Sequence, residues 1–272
     1  MSGWRGRLDL HYRVEGGRCV AADRHHGPLR VLKALYPEGE GICHHVLVHP
    51  PGGVVGGDRL DIHAVLEPGT HTLVTTPGAT RFYRSAGADA VQAAQLDLKA
   101  GARLEWLPMS AIAYDGCLAE NRVQFTLEGD ASMIGADIVA LGLPASGEPF
   151  ARGRFTQHLQ WPGHWLERGT IDAVDRRLLD SPLGLAGRPV MATLWIASGA
   201  GWATRQRDAL LEAAREDTSA LEGSTAPNDG LVVWRALGDA IEPLWTRLVR
   251  LRACWRAIGW GLPDVTPRVW ST

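Results

Sequence analysis

Up to about residue 200 the chain alternates apolar and polar positions in short runs. Leu8, Leu10 and Tyr12 alternate with Asp9, His11 and Arg13, the period of a half-buried strand. Leu60, Ile62, Ala64 and Leu66 face one way, and Arg59, Asp61, His63, Val65 and Glu67 the other. Val91 to Leu98, then Val123, Phe125 and Leu127, then Phe155, Gln157, Leu159 and Trp161 continue the beat. Leu29 to Leu35, His44 to Val48 and Leu104 to Leu107 are further apolar-rich runs. Turn residues separate them at Gly16-Gly17, Pro68-Gly69, Pro77-Gly78, Ala100-Gly101, Gly129-Asp130 and Pro162-Gly163. Thr70 to Thr76 is β-branched and suits an antiparallel return strand after Pro68-Gly69. Strand–turn units at this spacing predict an all-β sandwich, a barrel or a β-helix-like stack. No strict sequence period supports a regular solenoid.

After residue 200 the period changes. Trp202 to Leu221 holds strong helix formers with no internal Pro or Gly. Glu222 to Gly230 reads as a loop and Leu231 to Leu237 as a strand. Asp239 to Ile258 is the clearest helix, with Asp239 as its expected cap and Pro243 in its first turn. Ile241, Leu244, Trp245, Leu248, Leu251, Trp255 and Ile258 form an apolar stripe. The chain is therefore expected to be one unit, mainly β over 1–200, with two helices and a tail over 201–272.

Composition narrows the class. The 272 residues carry 28 basic and 30 acidic side chains, a net charge of −2, which gives no argument for a nucleic-acid or anionic-membrane partner. Four dispersed cysteines without a C-x-x-C pair suggest a reduced, cytoplasmic protein. The N-terminus lacks the apolar core of a signal peptide, and no apolar run is long enough to span a membrane. Eleven tryptophans against four phenylalanines are unusual, and five of them fall in the last forty residues.

The candidate chemistry concentrates between His45 and Ser85. Its glycine pairs match neither phosphate-loop pattern and sit between β segments, where close backbone approach or positive φ explains them. Eight of the ten histidines lie in the first 71 residues. His45 and His49 would share a face of one extended strand, and His63 shares a polar face with Asp61, which suits nickel, zinc or copper. No G-x-S-x-G elbow is present. The acids Asp58, Asp61, Asp115, Asp137, Glu148 and Glu167 are the pool for any carboxylate chemistry.

The motifs HPPGGVVGGDRL at 49–60 and TTPGATRFYRS at 75–85 resemble the signature of the UreD (UreH) urease accessory proteins. The likeness continues through WLPMSAIAYDG at 106–116, IVALGLPASGEPFARG at 138–153, SPLGLAGRPVMATL at 181–194, GLVVWRALG at 230–238 and PRVW at 267–270. One departure is Leu107-Pro108-Met109-Ser110, where the family commonly has Gln and then an acid after the proline.

The resemblance implies a mainly β fold, a β-helix-like stack of short strands with a few α-helices toward the C-terminus. It implies a scaffold rather than an enzyme, one that bridges apo-urease to the accessory protein UreF, which docks the GTPase UreG. A dimer within that complex is left open. No cofactor is expected to bind tightly, and nickel is expected to pass transiently. A hydrated ion needs a wet polar passage, because bare charge in apolar protein is costly. Asp58, Thr75, Thr76 and Ser85, with Asp61 as a lesser member, are the expected path residues. Gly52, Gly53, Gly56, Gly57, Pro77, Gly78, Arg81 and Arg84 are expected to shape the loops. Trp245, Leu248, Leu251 and Trp255 are expected on a partner surface. The rival readings are a β-stacked hydrolase using acids near Asp58 and a simple nickel store.

Overall fold

The computed structural model describes residues 3–271. In chain order the strands are β1 (Arg5–Glu15), β2 (Arg18–His26), β3 (Arg30–Val31), β4 (Ile42–Val48), β5 (Arg59–Leu66), β6 (His71–Thr75), β7 (Thr80–Phe82), β8 (Ala90–Leu98), β9 (Arg103–Leu107), β10 (Ala111–Ala113), β11 (Leu118–Leu127), β12 (Ser132–Leu141), β13 (Arg154–Trp161), β14 (Trp165–Asp172), β15 (Val190–Ser198), β16 (Glu222–Asn228) and β17 (Leu231–Gly238). The helices are α1 (Arg176–Asp180), α2 (Thr204–Arg215) and α3 (Ile241–Trp260).

From β4 to β13 the chain crosses back and forth between two sheets. β1, β5, β8, β11 and β13 run parallel in the first sheet, with β2 and β14 antiparallel at its edges. β4, β6, β9 and β12 run parallel in the second, which β15, β17 and β16 extend antiparallel. A short third face joins Val54, β7, β10 and the end of β12 in parallel register. The chain thus winds as a β-helix-like stack, in agreement with the expected fold class. Turns stack from coil to coil, with the Gly69 amide donating to the Ala100 carbonyl and the Gly101 amide to the Asp130 carboxylate.

This winding corrects the reading of Thr70 to Thr76 as a return strand. β6 does not pair with β5. It crosses to the second sheet and pairs in parallel with β4 and β9. The β-branched run is a strand, but Pro68-Gly69 turns a corner of the coil rather than a hairpin. Glu222 to Gly230 is likewise no simple loop. It supplies β16, an edge strand whose register shifts between Thr225 and Asn228, around Pro227. An edge with a bulge is where a sheet tolerates proline.

Two cores result. Between the sheets lie the alternating faces found in the sequence, Leu8, Leu10 and Tyr12 with Leu60, Ile62, Ala64 and Leu66, all buried. The second sheet's outer face carries the other core, closed by α2 and α3. β12 serves both: Met133, Val139 and Leu141 face inward, and Ile134, Ala136, Ile138 and Ala140 face the helices.

The α3 stripe is therefore not a free partner surface. Leu248, Leu251 and Trp255 are fully buried against the second sheet and α2, and the Trp255 indole donates to the Leu210 carbonyl. Trp245 is half-buried, edge-on to Trp270. An exposed apolar sheet face needs such a cover, and that need accounts for the stripe's width. Removing everything after Leu237 would uncover this core rather than delete a detachable surface. Asp239 does not cap α3 either. The cap position is Ala240, and Asp239 pairs with Arg188 instead.

Beneath α3 lies a buried ionic cluster. Arg252 Nε donates to Glu105 Oε2 at 2.6 Å, and Arg256 Nη1 lies 3.0 Å from Glu105 Oε1. Arg256 also pairs with Glu38, which accepts from His44 at 2.8 Å, and Arg252 reaches Asp264 at 2.9 Å. Burial pushes the Glu105 carboxyl up, but Arg252, His71 and Arg256 outweigh it and hold it at about 2.

Candidate functional site

The 49–53 and 75–81 segments close over a cavity of about 230 Å³. Leu29, Leu47, Ile62, Val74 and Trp106 give it an apolar lining, which Gln92 joins. His49, Gly52, Gly53, Thr76, Pro77, Gly78 and Arg81 form its rim. The sequence stretch rich in Gly and Pro is thus one end of the coil stack, where loops from neighbouring coils meet. Val54 N–H donates to the Arg81 carbonyl, and Tyr83 N–H donates to the Val54 carbonyl. These bonds splice the two signature loops together.

Gly53 is needed for contact: a Cβ there would stand 2.1 Å from the Tyr83 ring. Gly56 is packed the same way against Ser85. Gly53→Ala is expected to lower stability by about 1–3 kcal/mol, through displacement of Tyr83. Gly78→Ala, where a Cβ meets open space, should stay within about 0.5 kcal/mol. Paired thermal melts decide this, and equal effects would reject the close-approach role.

The expected path residues divide. Thr75 and Thr76 line the cavity, but both hydroxyls are engaged. Thr75 Oγ1 donates to the Leu107 carbonyl at 2.6 Å and accepts from the Trp270 indole at 2.8 Å. Thr76 Oγ1 donates to the Gly78 carbonyl and accepts from Met109 N–H. Asp58 lies outside the lining. Its carboxylate accepts the Trp4 N–H at 2.7 Å and the Val55 N–H at 3.1 Å. It ties the start of the N-terminal strand to the GGVVGGD loop. Ser85 Oγ donates to the Ala88 carbonyl and accepts from Gly87 N–H. Asp61 stands on the outer face of the first sheet, paired with Arg59. Arg84 lies 3.5 Å from Asp115.

The histidines do not converge. His45 is interior, on the Tyr12 hydroxyl, and burial lowers it to about 4. His49 is at the cavity rim, lowered by burial against the opposing pull of Asp58. His63 faces outward onto Asp97 at 2.8 Å. Among the described residues no three His, Cys, Asp or Glu side chains are grouped to hold a metal ion.

A polar row leads inward from the cavity. Gln92, Asn121 and Gln157 are register neighbours on β8, β11 and β13. Gln92 Nε2 donates to Asn121 Oδ1 at 3.3 Å, and Asn121 Nδ2 donates to Asp137 Oδ1 at 2.8 Å. Gln157 Nε2 donates to Asp137 Oδ2 at 2.5 Å. Asp137 comes from β12 of the opposite sheet and is 3 % exposed. Burial raises it to about 6, against the two amide hydrogen bonds. The sequence places Asp137 only in the general pool of acids and Gln157 only in the alternating run of its strand, and singles out neither Gln92 nor Asn121. Alternation alone marks Gln157 as a polar residue on an apolar face, and that is the signal that could have found the row.

The comparisons bear on what this arrangement serves. The family model described as "UreD urease accessory protein" matches residues 4–271. A urease accessory protein UreD of Leptothrix cholodnii is 53% identical over 276 residues, covering 99% of each chain. One of Paracidovorax citrulli is 55% identical over 273 residues, covering 98% of this chain and 99% of the relative. One of Verminephrobacter eiseniae is 54% identical over 273 residues with the same coverage. Matched from end to end at this identity, the chain belongs to the UreD family of urease accessory proteins.

Proposed function

We propose that the chain is a scaffold for nickel insertion into urease, one that binds apo-urease and the accessory proteins UreF and UreG. Family membership over the whole chain carries this reading. The interior adds a physical reason for a cation. Asp137 is a buried carboxylate with amide partners and, among the described residues, no cationic one. Such a group is stabilised by any cation that reaches it. The ion in transit is cargo, so weak neutral ligands such as Gln92 and Asn121 suit release better than a closed His/Cys cage.

The partner surface must lie away from the α3 stripe. Trp4 and Val55 are 58% and 46% exposed, and both are tethered through their amides to Asp58. They are the apolar candidates nearest the signature loops. The test is urease activation in cells that express the urease structural proteins and the other accessory proteins, with nickel supplied. Activity should need this chain. Full activation without it would overturn the proposal.

A further inference from the structure

Two cysteines meet between the sheets, away from the cavity. Cys19 on β2 and Cys43 on β4 are both buried in the inner core and carry free thiols. Thr72 on β6 is the register partner of Cys43, and register partners share a face. The Cys19 thiol comes from the opposite sheet and lies 3.6 Å from the Thr72 hydroxyl, so it stands beside Cys43. Tyr36 is half-buried over the pair: its hydroxyl donates to the Cys19 carbonyl at 2.8 Å, and the Arg18 guanidinium covers its ring at 4.3 Å. None of these residues lines the cavity under the signature loops.

The buried thiols differ in character. Hydrogen bonding from Cys43 outweighs burial and, with Thr72 and the backbone of His71 and Cys43, holds the Cys19 thiol below the ordinary thiol range. The Cys43 thiol is pushed up, by Cys19 first and then by burial. Cys117, which has no such neighbour, is pushed up to about 12 by burial. The thiolate is the nucleophile, so Cys19 is the sulfur that attacks and Cys43 the one that keeps its proton.

We propose that Cys19 and Cys43 form a dithiol site that a small hydroperoxide oxidises to a disulfide between the two sheets. The Cys19 sulfur attacks the terminal peroxide oxygen. An S–O bond forms, the O–O bond breaks, and the leaving oxygen takes up the proton that Cys19 gave up. The Cys43 sulfur then attacks the Cys19 sulfenic acid. The S–S bond forms, the S–O bond breaks, and the hydroxide leaves as water with the Cys43 proton. The two thiols lose two electrons and the peroxide gains them. The bridge ties β2, an edge strand, to the second sheet. The site rests on thiol chemistry and stands apart from the nickel reading.

The experiment uses the full-length chain with Cys254→Ser, which removes the exposed thiol. Hydrogen peroxide is added to the folded protein at neutral pH, and the intact mass and a non-reducing peptide map are read. The protein should become about 2 Da lighter, with Cys19 joined to Cys43, and dithiothreitol should restore it. With Cys43→Ser added, the reaction should stop at a Cys19 sulfenic acid, about 16 Da heavier and trapped by dimedone. No bridge at peroxide levels that already oxidise methionine would overturn the proposal. So would a bridge that forms only in urea, or a Cys43→Ser protein with no sulfenic acid at Cys19.

Discussion

Glu105→Ala should destabilise the protein by about 3–5 kcal/mol at pH 7, the range for breaking a buried ion pair from one side. Glu105, Arg252 and Arg256 are all completely buried. Removing the carboxylate leaves two guanidinium groups without their shared counter-charge under α3. The two arginines are already under-satisfied, since among the described residues Arg252 Nη2 and Arg256 Nε have no hydrogen-bond partner. The pH dependence follows from the same geometry. Glu105 is held at about 2 against an ordinary 4.5, so its ionised form favours the fold. That contribution, about 3 kcal/mol, is complete above pH 4.5 and is lost as pH falls through about 2. Urea unfolding at pH 7 and pH 3 measures both effects. A Glu105→Ala protein within about 1 kcal/mol of the parent at pH 7 would mean that water or rearrangement already solvates the arginines. Replacing Glu105, Arg252 and Arg256 together by apolar residues should cost less than the single change, because no guanidinium is then stranded, Glu38 keeps His44 and Asp264 is open to solvent.

This cluster illustrates which parts of the fold the sequence carries openly. Strands with one dry face announce themselves: β5 alternates in exposure residue by residue, as its sequence does. β12 does not, because all ten of its residues are buried between two cores, and a strand dry on both faces has no alternation to read. β15 is nearly the same, with eight of nine buried. The coil itself leaves no strict repeat because equivalent positions need only be apolar and of fitting size. Val54, Phe82, Ala113 and Leu141 hold the same ladder with four different side chains. The loops that close over the cavity are legible because Gly and Pro mark shaped backbone. What their polar groups bond to is not. Asp58, Thr75, Thr76 and Ser85 spend their hydrogen bonds on holding loops. The charge facing the interior comes from Asp137, about fifty residues beyond the loops in sequence, brought there by strand register. The apolar stripe of α3 was seen, but a stripe alone does not say whether a partner or the chain's own sheet covers it.

Asp137→Asn should stabilise the protein above pH 6 and impair it as a scaffold. Burial raises the carboxyl to about 6 from an ordinary 3.8, so ionisation opposes the fold. Stability from the neutral form is complete below pH 3.8 and is lost as pH rises through 6. The total is about 3 kcal/mol. The asparagine variant carries no such charge, and Gln157 can turn its amide to match the new donor. Between pH 4 and pH 8 the parent should therefore lose about 2–3 kcal/mol relative to the variant. Other titrating groups cancel in that difference. A pH-independent difference between the two proteins would show that Asp137 is solvated and not an isolated charge. The cost has a functional meaning only if a cation meets the ionised group. Nickel should then raise the parent's melting temperature at pH 8 and leave the variant unmoved. In cells, the variant should support several-fold less urease activation at equal protein level. A stabilised variant that activates urease fully would separate the buried charge from nickel delivery and place the route elsewhere in the fold.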